Sequence, residues 1–362
     1  MTTALLEQTT RQEVWDGAVI DVDVHANIPQ IEALFPYLDE LWVDWITERA
    51  WRGPVMPNHH YPVASERAAR LEWRPEGAGP ATSVGLLQEH ILDPWNVDNA
   101  IVNCYYGIEG LRHPDWAAAL ASAVNDWLID QWLSKDDRLR ATMVMPARDT
   151  AAMIKEIRRV GDHPGFVQAF FPTRSDNLWG QRQYHGVFRE LAARDLVVGL
   201  HYGGTTEGAP SSTGYANYYV EQYGAEWQSF ATQVTSLISE GVFTDIPALR
   251  VSVLEGGFLW FPVWGWRMNK EWKGLRREVP WLDRPPLHIM RDHFRFSTAP
   301  IDAGPPELMA KALQWIGNDD MLMFATDYPH RHDDDIAGFL SLLSAEARAK
   351  VMAENAREWY RL

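Results

Sequence analysis

Val19-Ile20-Asp21-Val22-Asp23-Val24-His25-Ala26 is an apolar stretch interrupted by two carboxylates and an imidazole. Because successive side chains on a β-strand point to opposite faces, the pattern predicts that the valines at 22 and 24 face one way and the three polar groups face the other. Unpaired charge is costly to bury, so a polar face inside the protein needs a partner, for which a divalent metal ion is suited. The alternative is a half-buried edge strand with a solvated acidic face.

Length and charge narrow the possible classes of protein. The chain has 362 residues, enough for one large barrel with insertions or for two smaller domains. Its 33 Lys and Arg against 49 Asp and Glu give a net charge of −16, which argues against a nucleic-acid partner or an anionic membrane surface. The single cysteine, Cys104, excludes an internal disulfide and fits a reducing compartment. With no apolar run long enough to span a bilayer and no signal-like N-terminus, we expect a cytoplasmic protein.

A long irregular segment, residues 28–98, follows the first strand. It is rich in Pro and Trp, contains short helical pieces and lacks a repeating strand signal. A connection of this length is usually a functional insertion or lid. Tryptophan is concentrated here, at Trp42, Trp45 and Trp51 among others, and again after the Gly256-Gly257 pair. Since Trp is typical of cores and interfaces, these groups are expected to form aromatic pocket walls or a subunit contact.

The remainder alternates regularly between strand and helix patterns. Further strands are predicted at 99–106, 139–147, 166–172, 196–203, 249–257, 294–300 and 321–328. Their apolar cores and the helical segments between them predict an α/β protein with a parallel sheet, and a count of eight favours a closed (β/α)8 TIM-type barrel. An open doubly wound sheet is the competitor, but neither GxGxxG after the first strand nor GxxxxGK[ST] is found. Residues 1–362 are therefore interpreted as one barrel domain with 28–98 as its insertion.

Ionisable residues stand where four of these strands end. In a barrel, catalytic groups gather at the carboxyl ends of the strands. The residues concerned are Asp23 and His25 on the first strand, His201 on the fifth, Glu255 on the sixth and Asp327 on the eighth. Convergence of these groups on one mouth predicts a metal site. Imidazole and carboxylate ligands without a thiolate suit Zn, Mn or Fe, with one or two ions per chain. Such an ion activates water or polarises a substrate oxygen.

Three motifs resemble those of the amidohydrolase superfamily. They are Asp-x-His on the first strand, His201 at the end of the fifth, and Thr326-Asp327-Tyr328-Pro329-His330 on the eighth. The similarity is greatest to the amidohydrolase-related branch that contains the aminocarboxymuconate-semialdehyde and γ-resorcylate decarboxylases. The C-terminal Glu354-Asn355-Ala356-Arg357 and Tyr360 resemble the closing helix of that branch. The resemblance implies that Asp23, His25, His201 and Asp327 bind the metal and that Asp327 also handles protons.

The chain departs from that branch at two places. Glu255 stands before the Gly256-Gly257 pair, where the decarboxylases usually carry a histidine. Three roles remain open for it: a general base, a ligand of a second metal, or a structural carboxylate. The fourth strand, 166–172, contains no lysine to form the superfamily's carbamylated bridge. The resemblance therefore implies one metal, or two held in a different way.

Several further residues are weaker candidates for the site. His330 is predicted to reach the metal's surroundings or a second metal. Arg174 and Arg267 are candidates to clamp a substrate carboxylate, with surface arginines as the alternative. Tyr202 and the loop 205–224 are candidates to cover the site, and His59-His60 is interpreted as a surface pair.

The sequence thus predicts a metal-dependent hydrolase or non-oxidative decarboxylase acting on a small carboxylated or carbonyl compound. One alternative is a non-haem monooxygenase of the same fold with two Fe or Mn ions, which needs an electron-donor protein. Another is a non-catalytic subunit of a homologous enzyme, with the tryptophan groups at the interface. A homo- or hetero-oligomer is expected, without nucleic acid or membrane as a partner.

Overall fold

The computed structural model describes residues 14–54, 69–76, 79–204, 214, 216–302, 304–317 and 319–362. Eight parallel strands follow one another around a single sheet in the order of the sequence. They are β1 (Ile20–His25), β2 (Asn99–Asn103), β3 (Leu139–Met143), β4 (Phe166–Arg174), β5 (Val197–Gly204), β6 (Val251–Leu254), β7 (Phe294–Ser297) and β8 (Leu322–Met323). Among the described residues, no helix has the length and apolar character needed to cross a membrane.

Hydrogen bonds between the first strand and the segment after the last close the sheet into a barrel. The Val22 amide donates to the Phe324 carbonyl at 3.0 Å, and the Asp327 amide donates to the Asp23 carbonyl at 2.9 Å. A parallel bridge joins Val24 to Tyr328. The predicted TIM-type (β/α)8 barrel is therefore confirmed.

Helical segments lie between the strands and after the last one. The α-helices are α1 (Glu40–Glu48), α2 (Val84–Leu87), α3 (Pro114–Leu128), α4 (Thr150–Val160), α5 (His185–Ala193), α6 (Tyr219–Ala225), α7 (Trp227–Ser239), α8 (Val242–Asp245), α9 (Trp260–Leu275), α10 (Pro286–His293), α11 (Pro306–Ile316), α12 (Ile336–Ser341), α13 (Ala345–Ala349) and α14 (Asn355–Tyr360). Pro at the first turn of α3, α10 and α11 suits a position whose amide has no partner within the helix.

Several strands end earlier than the sequence predicts, and two of these precede a site carboxylate. The sixth strand stops at Leu254 instead of 257, directly before Glu255, and the eighth stops at Met323 instead of 328, four residues before Asp327. Glu255 and Asp327 both have left-handed backbone conformations, with φ of 57° and 55°. This conformation costs free energy for any residue other than glycine, and a residue that adopts it cannot continue a strand. The left-handed turn after each strand therefore redirects the backbone at the position of the carboxylate.

The regular alternation predicted for β1 is wrong. Ile20 and Val22 belong to a cluster inside the barrel, whereas Val24 packs in the main core with Val19. The pairing of β1 with β2 is irregular between Asp21 and Val24, as in a β-bulge. An extra residue in a strand reverses the alternation of faces. Val22 and Val24, which were predicted to share one face, therefore occupy different environments.

Helix α14 covers the end of the barrel at which the strands begin. Trp359 and Tyr360 of α14 pack against Ile20 and Val22, near the start of β1. The Tyr360 hydroxyl lies 2.9 Å from Gln168 Oε1 and 2.7 Å from Ser252 Oγ, and the Trp359 indole donates to the same Ser252 oxygen at 3.1 Å. We call Thr142, Gln168, Ser252, Trp359 and Tyr360 the barrel floor.

The described part of the insertion 28–98 contains short helical segments and packs on the barrel at several places, among them two where tryptophan rings make the contact. Trp42, Trp45 and Trp51 surround Trp116 of α3, with ring centroids 5.1–5.3 Å from it. These rings anchor the insertion to a barrel helix, and a pocket wall or a subunit contact at the same rings stays a prediction. At the second place, Trp73 packs on Tyr328 at 5.1 Å. His59-His60 lies outside the described residues.

Candidate metal centre

Four of the predicted ligands lie together at the mouth of the barrel. Asp23 and His25 come from β1, His201 from β5 and Asp327 from the turn after β8, and all four are buried. Each offers one ligand atom within 4.8 Å of the others. His25 Nε2 lies 2.8 Å from Asp327 Oδ1, and His201 Nε2 lies 3.3 Å from Asp23 Oδ1. We call these residues the mouth cluster.

The hydrogen bonds of the mouth cluster fit a bound cation. Asp23 Oδ2 is a buried atom without a hydrogen-bond partner. His201 Nδ1 lies 2.8 Å from the carbonyl oxygen of Tyr202, so a proton on Nδ1 is held there and Nε2 faces the cluster. A backbone carbonyl on the far ring nitrogen is a common arrangement for a metal-binding histidine. Two imidazoles and two carboxylates suit Mn, Zn or Fe.

The charges in the mouth cluster are strongly coupled. Burial lowers the pKa of His25, which favours the neutral form that binds metals. Burial also disfavours charge on His201, but the Asp23 carboxylate outweighs it and raises the pKa of His201 to about 10. Although burial opposes ionisation of Asp327, the neighbouring His330 and His25 hold its pKa well below the ordinary value. Asp327 is therefore ionised at neutral pH and is available as a ligand.

Glu255 faces the same site from the end of β6. Its Oε2 lies 3.9 Å from His201 Nδ1, and its Oε1 accepts a hydrogen bond from the Tyr223 hydroxyl at 2.8 Å. Burial, followed by repulsion from Asp327, raises the pKa of Glu255 to about 7. A carboxyl group that holds its proton near neutral pH is able to act as a general acid.

Two histidines that follow β8 contact the outer oxygen of Asp327. His330 Nδ1 lies 3.2 Å from Asp327 Oδ2, and His332 Nε2 lies 2.5 Å from the same atom. The sequence analysis proposed His330 but assigned no role to His332, although the two stand two positions apart in the same short run. Tyr223 lies within the loop 205–224 that was predicted to cover the site, but it was not singled out, because its contact with Glu255 depends on how α6 packs over the mouth.

A buried chain of polar side chains joins the mouth cluster to the barrel floor. Asn103 Nδ2 donates to Asp23 Oδ1 at 2.7 Å, and Thr142 Oγ1 donates to Asn103 Oδ1 at 2.5 Å. Gln168 Nε2 then donates to Thr142 Oγ1 at 2.8 Å. Sequence reasoning missed Asn103. The available signal was a polar residue at the end of an otherwise apolar strand, next to the first ligand strand.

Of the three residues proposed to contact the substrate, the structure brings Arg174 and Tyr202 together and places Arg267 elsewhere. Arg174 lies at the end of β4 beside a cleft of about 400 Å³, with its guanidinium 5.8 Å from the centre of the Tyr202 ring. Tyr202 in turn packs against Tyr223 at 5.3 Å. Arg267 is not brought to the mouth: its side chain is 72% exposed on α9 and pairs with Glu271 at 2.9 Å. Half of the predicted covering loop, residues 205–213 and 215, lies outside the described residues.

Fold and site together define a (β/α)8 barrel with a buried cluster of histidine and carboxylate ligands at the carboxyl ends of its strands. The sequence profile of the amidohydrolase family Amidohydro_2 matches residues 20–362. The chain belongs to this family and is an enzyme of the amidohydrolase superfamily.

Among characterised relatives, γ-resorcylate decarboxylase of Rhodococcus jostii (strain RHA1) is 23% identical over 296 residues, which are 75% of this chain and 86% of the relative. A structure of 2,6-dihydroxybenzoate decarboxylase with 2,6-dihydroxybenzoate superposes with a TM-score of 0.68 at 18% identity and covers 96% of this chain and 100% of that one. The structure of 5-carboxyvanillate decarboxylase from Novosphingobium aromaticivorans, bound to manganese and a nitrobenzoic acid, superposes with a TM-score of 0.71 at 18% identity. The superposition covers 95% of this chain and 96% of that one. These structural similarities establish the fold.

The relatives named above are decarboxylases, and they give no support to the monooxygenase alternative or to its electron-donor partner. The oligomeric state, the metal ion and the roles of individual residues remain predictions.

Proposed function

We propose that this enzyme is a metal-dependent, non-oxidative decarboxylase of a small aromatic carboxylate. One observation carries the proposal: Glu255, a buried carboxyl group whose pKa burial raises to about 7, stands beside a four-residue metal cluster at the barrel mouth. The reaction requires these two elements, a site for an anionic substrate and a proton donor. The decarboxylases of similar fold support this choice over hydrolysis, which the same residues also permit.

Asp23, His25, His201 and Asp327 would hold the divalent ion. When bound, such an ion polarises an oxygen of the substrate and offsets its negative charge. Asp327 contacts both His25 in the mouth cluster and the two histidines that follow β8. Its ionised carboxylate fixes the orientation of His25 through the 2.8 Å contact. Asn103 fixes Asp23 in the same way from below.

Glu255 is the proposed proton donor, and Asp327, which the sequence analysis also considered for proton transfer, is the proposed metal ligand. The proton moves from Glu255 to the ring carbon that carries the carboxylate. The bond from this carbon to the carboxylate then breaks, its electron pair returns to the ring, and CO2 leaves. Glu255 is left ionised and regains a proton from solvent, so that the net reaction consumes one proton and releases CO2.

Two further parts of the chain are assigned to the substrate. We place Arg174, which lines the cleft at the ends of β2, β3 and β4, and Tyr202, whose ring centre lies 5.8 Å from the Arg174 guanidinium, at the outer side of the bound molecule. Residues 28–98 form part of the same single domain and act as a lid. The contact of Trp73 with Tyr328, one residue after Asp327, supports this assignment.

The test is release of CO2 from hydroxylated benzoates by protein loaded with one equivalent of Mn(II), assayed without dioxygen. Glu255→Gln is expected to lower turnover by about 10²-fold or more, the usual contribution of a general acid, while the mouth cluster still binds Mn(II). Glu156→Gln, which changes a buried carboxylate that pairs with Arg159 on α4, is the matched control and should keep its activity.

Full activity of Glu255→Gln would remove Glu255 from the reaction. Turnover that needs dioxygen and a reductant would replace the decarboxylase by the monooxygenase. Release of a hydrolysis product without CO2 would replace it by a hydrolase.

A further inference from the structure

The cleft of about 400 Å³ is lined by the segments that follow β2, β3 and β4. Of the residues that the structure describes, its lining includes neither Glu255 nor any member of the mouth cluster. The ring of His201 packs on Phe170 at 5.7 Å, and Phe170 packs on Tyr105 at 5.6 Å. Tyr105 is in turn hydrogen-bonded to the side chain of Glu109, which lines the cleft. The contacts from the metal centre to the cleft therefore run through two aromatic rings.

Three guanidinium groups line this cleft, and they belong to Arg112, Arg148 and Arg174. Arg148 Nε donates to the Glu109 carbonyl at 2.9 Å, and its Nη1 pairs with Asp176. Its Nη2 is buried and makes no hydrogen bond to the described part of the chain. Since buried polar atoms are nearly always paired, Nη2 is a donor that a bound molecule would satisfy. We call this space the arginine cleft.

Arg174 also keeps charge that the protein does not fully neutralise. Its buried Nε lies 3.6 Å from Glu226 Oε1 and makes no hydrogen bond to the described residues. Burial raises the pKa of Glu226 to about 7, so that this carboxyl group is only partly ionised at neutral pH. Its ion pair with Arg174 is therefore incomplete.

The carboxyl groups that line the arginine cleft do not cancel its positive charge. Burial raises the pKa of Glu109, which favours its neutral form. Asp149 accepts two backbone amides at the start of α4, at 2.9 and 3.1 Å, where it faces the positive end of the helix dipole. Asp176 pairs with Arg148 alone among the three arginines. The cleft is thus suited to an anion, although the whole chain has a net charge of −16.

Much of the remaining wall is apolar. It is formed by Leu111, Pro114, Ala117, Pro146, Pro172 and Trp179. A guanidinium group binds a carboxylate through charge-assisted hydrogen bonds. Small-molecule sites typically have volumes of about 300–1,000 Å³, with apolar walls and a few polar groups that fix the ligand's orientation.

We propose that the arginine cleft is a second ligand site, separate from the metal centre, which binds a small carboxylate with an apolar body. Arg148 and its two neighbouring arginines hold the carboxylate, and the apolar wall covers the body of the molecule. The inference goes beyond the proposed function, with which it shares only Arg174.

The test is equilibrium dialysis of the Mn(II)-loaded protein against radiolabelled benzoate, a carboxylate on an apolar ring. Benzoate should bind to the unaltered protein and also to His201→Ala, which is expected to lose the metal. Adding Arg148→Met to His201→Ala should weaken this binding about tenfold or more, because a charged hydrogen-bond donor is removed. Arg158→Met in the same background, at an exposed arginine on α4 that pairs with Glu190, is the matched control and should not weaken it.

A second variant keeps all three arginines and fills the space instead. Ala117→Leu, on the α3 wall of the cleft, should prevent benzoate binding in His201→Ala, and it decides the question if Arg148→Met fails to fold. Acetate, which has the carboxylate without the ring, should bind about tenfold or more weakly than benzoate, because it buries less apolar surface.

Failure of His201→Ala to bind benzoate would overturn the proposal, since the ligand would then need the metal centre. Undiminished binding with both Arg148→Met and Ala117→Leu would also overturn it. Equal affinities for acetate and benzoate would overturn the apolar part of the ligand class. These affinities are read without turnover, so the absence of decarboxylation would count against the proposed function alone.

Discussion

The mouth and the floor of the barrel are both polar and both buried, yet they differ in how their polar atoms are paired. On the floor, the side-chain oxygen and nitrogen atoms of Gln168, Ser252 and Tyr360 contact one another at 2.7–2.9 Å or continue to neighbours. At the mouth, Asp23 Oδ2 is buried without a hydrogen-bond partner. The floor is complete within the chain, which is typical of a structural network, whereas the mouth keeps an acceptor atom that the proposed metal ion would use.

The backbone is strained at the two site carboxylates. The residues at 255 and 327 both have left-handed conformations, whereas the floor residues Gln168 and Ser252 lie within regular strands. Strain of this kind persists where the placement of a side chain outweighs its cost. Arg361, next to the floor residue Tyr360, is also left-handed, so this conformation does not by itself distinguish the mouth from the floor.

The largest effect on metal binding and turnover is expected from removal of a ligand at the mouth. His201→Ala deletes an imidazole of the mouth cluster, and we expect bound metal to be lost and turnover to fall about thousandfold or more. Metal content and decarboxylation are measured on the same preparation. Removal of His201 leaves the buried Asp23 carboxylate without this ion-pair partner, so the metal-free variant should melt at a lower temperature, and circular dichroism checks that it is still folded. Undiminished turnover in a folded variant would contradict the account.

The next largest effect is expected at the polar residue that holds a mouth ligand. Asn103→Ala removes the 2.7 Å hydrogen bond to Asp23 Oδ1. Residues that orient a metal ligand typically contribute about 10–100-fold to metal affinity, and this is the loss expected here for Mn(II), measured by equilibrium dialysis. An unchanged affinity would mean that Asp23 does not bind the ion, or that it needs no support.

A smaller change is expected from the hydroxyl that contacts Glu255. Tyr223→Phe removes a donor to the Glu255 carboxylate, with an expected loss of about tenfold in turnover. Donation to a carboxylate favours the ionised form, so the variant's Glu255 should have a higher pKa. If Glu255 acts as the acid, activity falls as pH rises through its pKa, and the variant should lose activity at a higher pH than the unaltered enzyme. A shift of the profile to lower pH would contradict the assigned role.

The floor should affect stability and leave metal binding unchanged. Tyr360→Phe leaves Gln168 Oε1 and Ser252 Oγ with fewer partners in a buried network, at a cost of about 1–3 kcal/mol in the free energy of unfolding. Denaturant unfolding gives this cost, and Mn(II) dialysis on the same variant should match the unaltered protein. A large loss of metal affinity would show that the chain from Tyr360 to Asp23 acts as one unit, and the distinction between floor and mouth would fail.

The sequence was most informative where structure follows from local pattern. The strand and helix rhythm predicted the barrel, and strands that stop at an ionisable group placed Asp23, His201 and Asp327 at one end of it. In a parallel barrel, strand ends must meet at one face, so no long-range information was needed to bring these residues together.

Features that depend on packing between distant segments were not predictable. The bulge in β1 depends on its pairing with β2, and the contact between Tyr223 and Glu255 depends on how a helix lies over the mouth. For Arg267 the structure bears out the surface arginine that the sequence analysis kept as the alternative, since its helix faces solvent at that position. The contact of Trp42 with Trp116 was not predicted, because the two residues are far apart in the sequence.

The central claim, that the mouth cluster holds a divalent cation, is tested most directly by the metal content of protein purified without added metal. We predict at least one Mn, Zn or Fe per chain in the unaltered protein and nearly none in His201→Ala prepared in the same way. Equal metal content in the two proteins, or unaltered protein that binds no divalent metal even when it is supplied, would contradict the account.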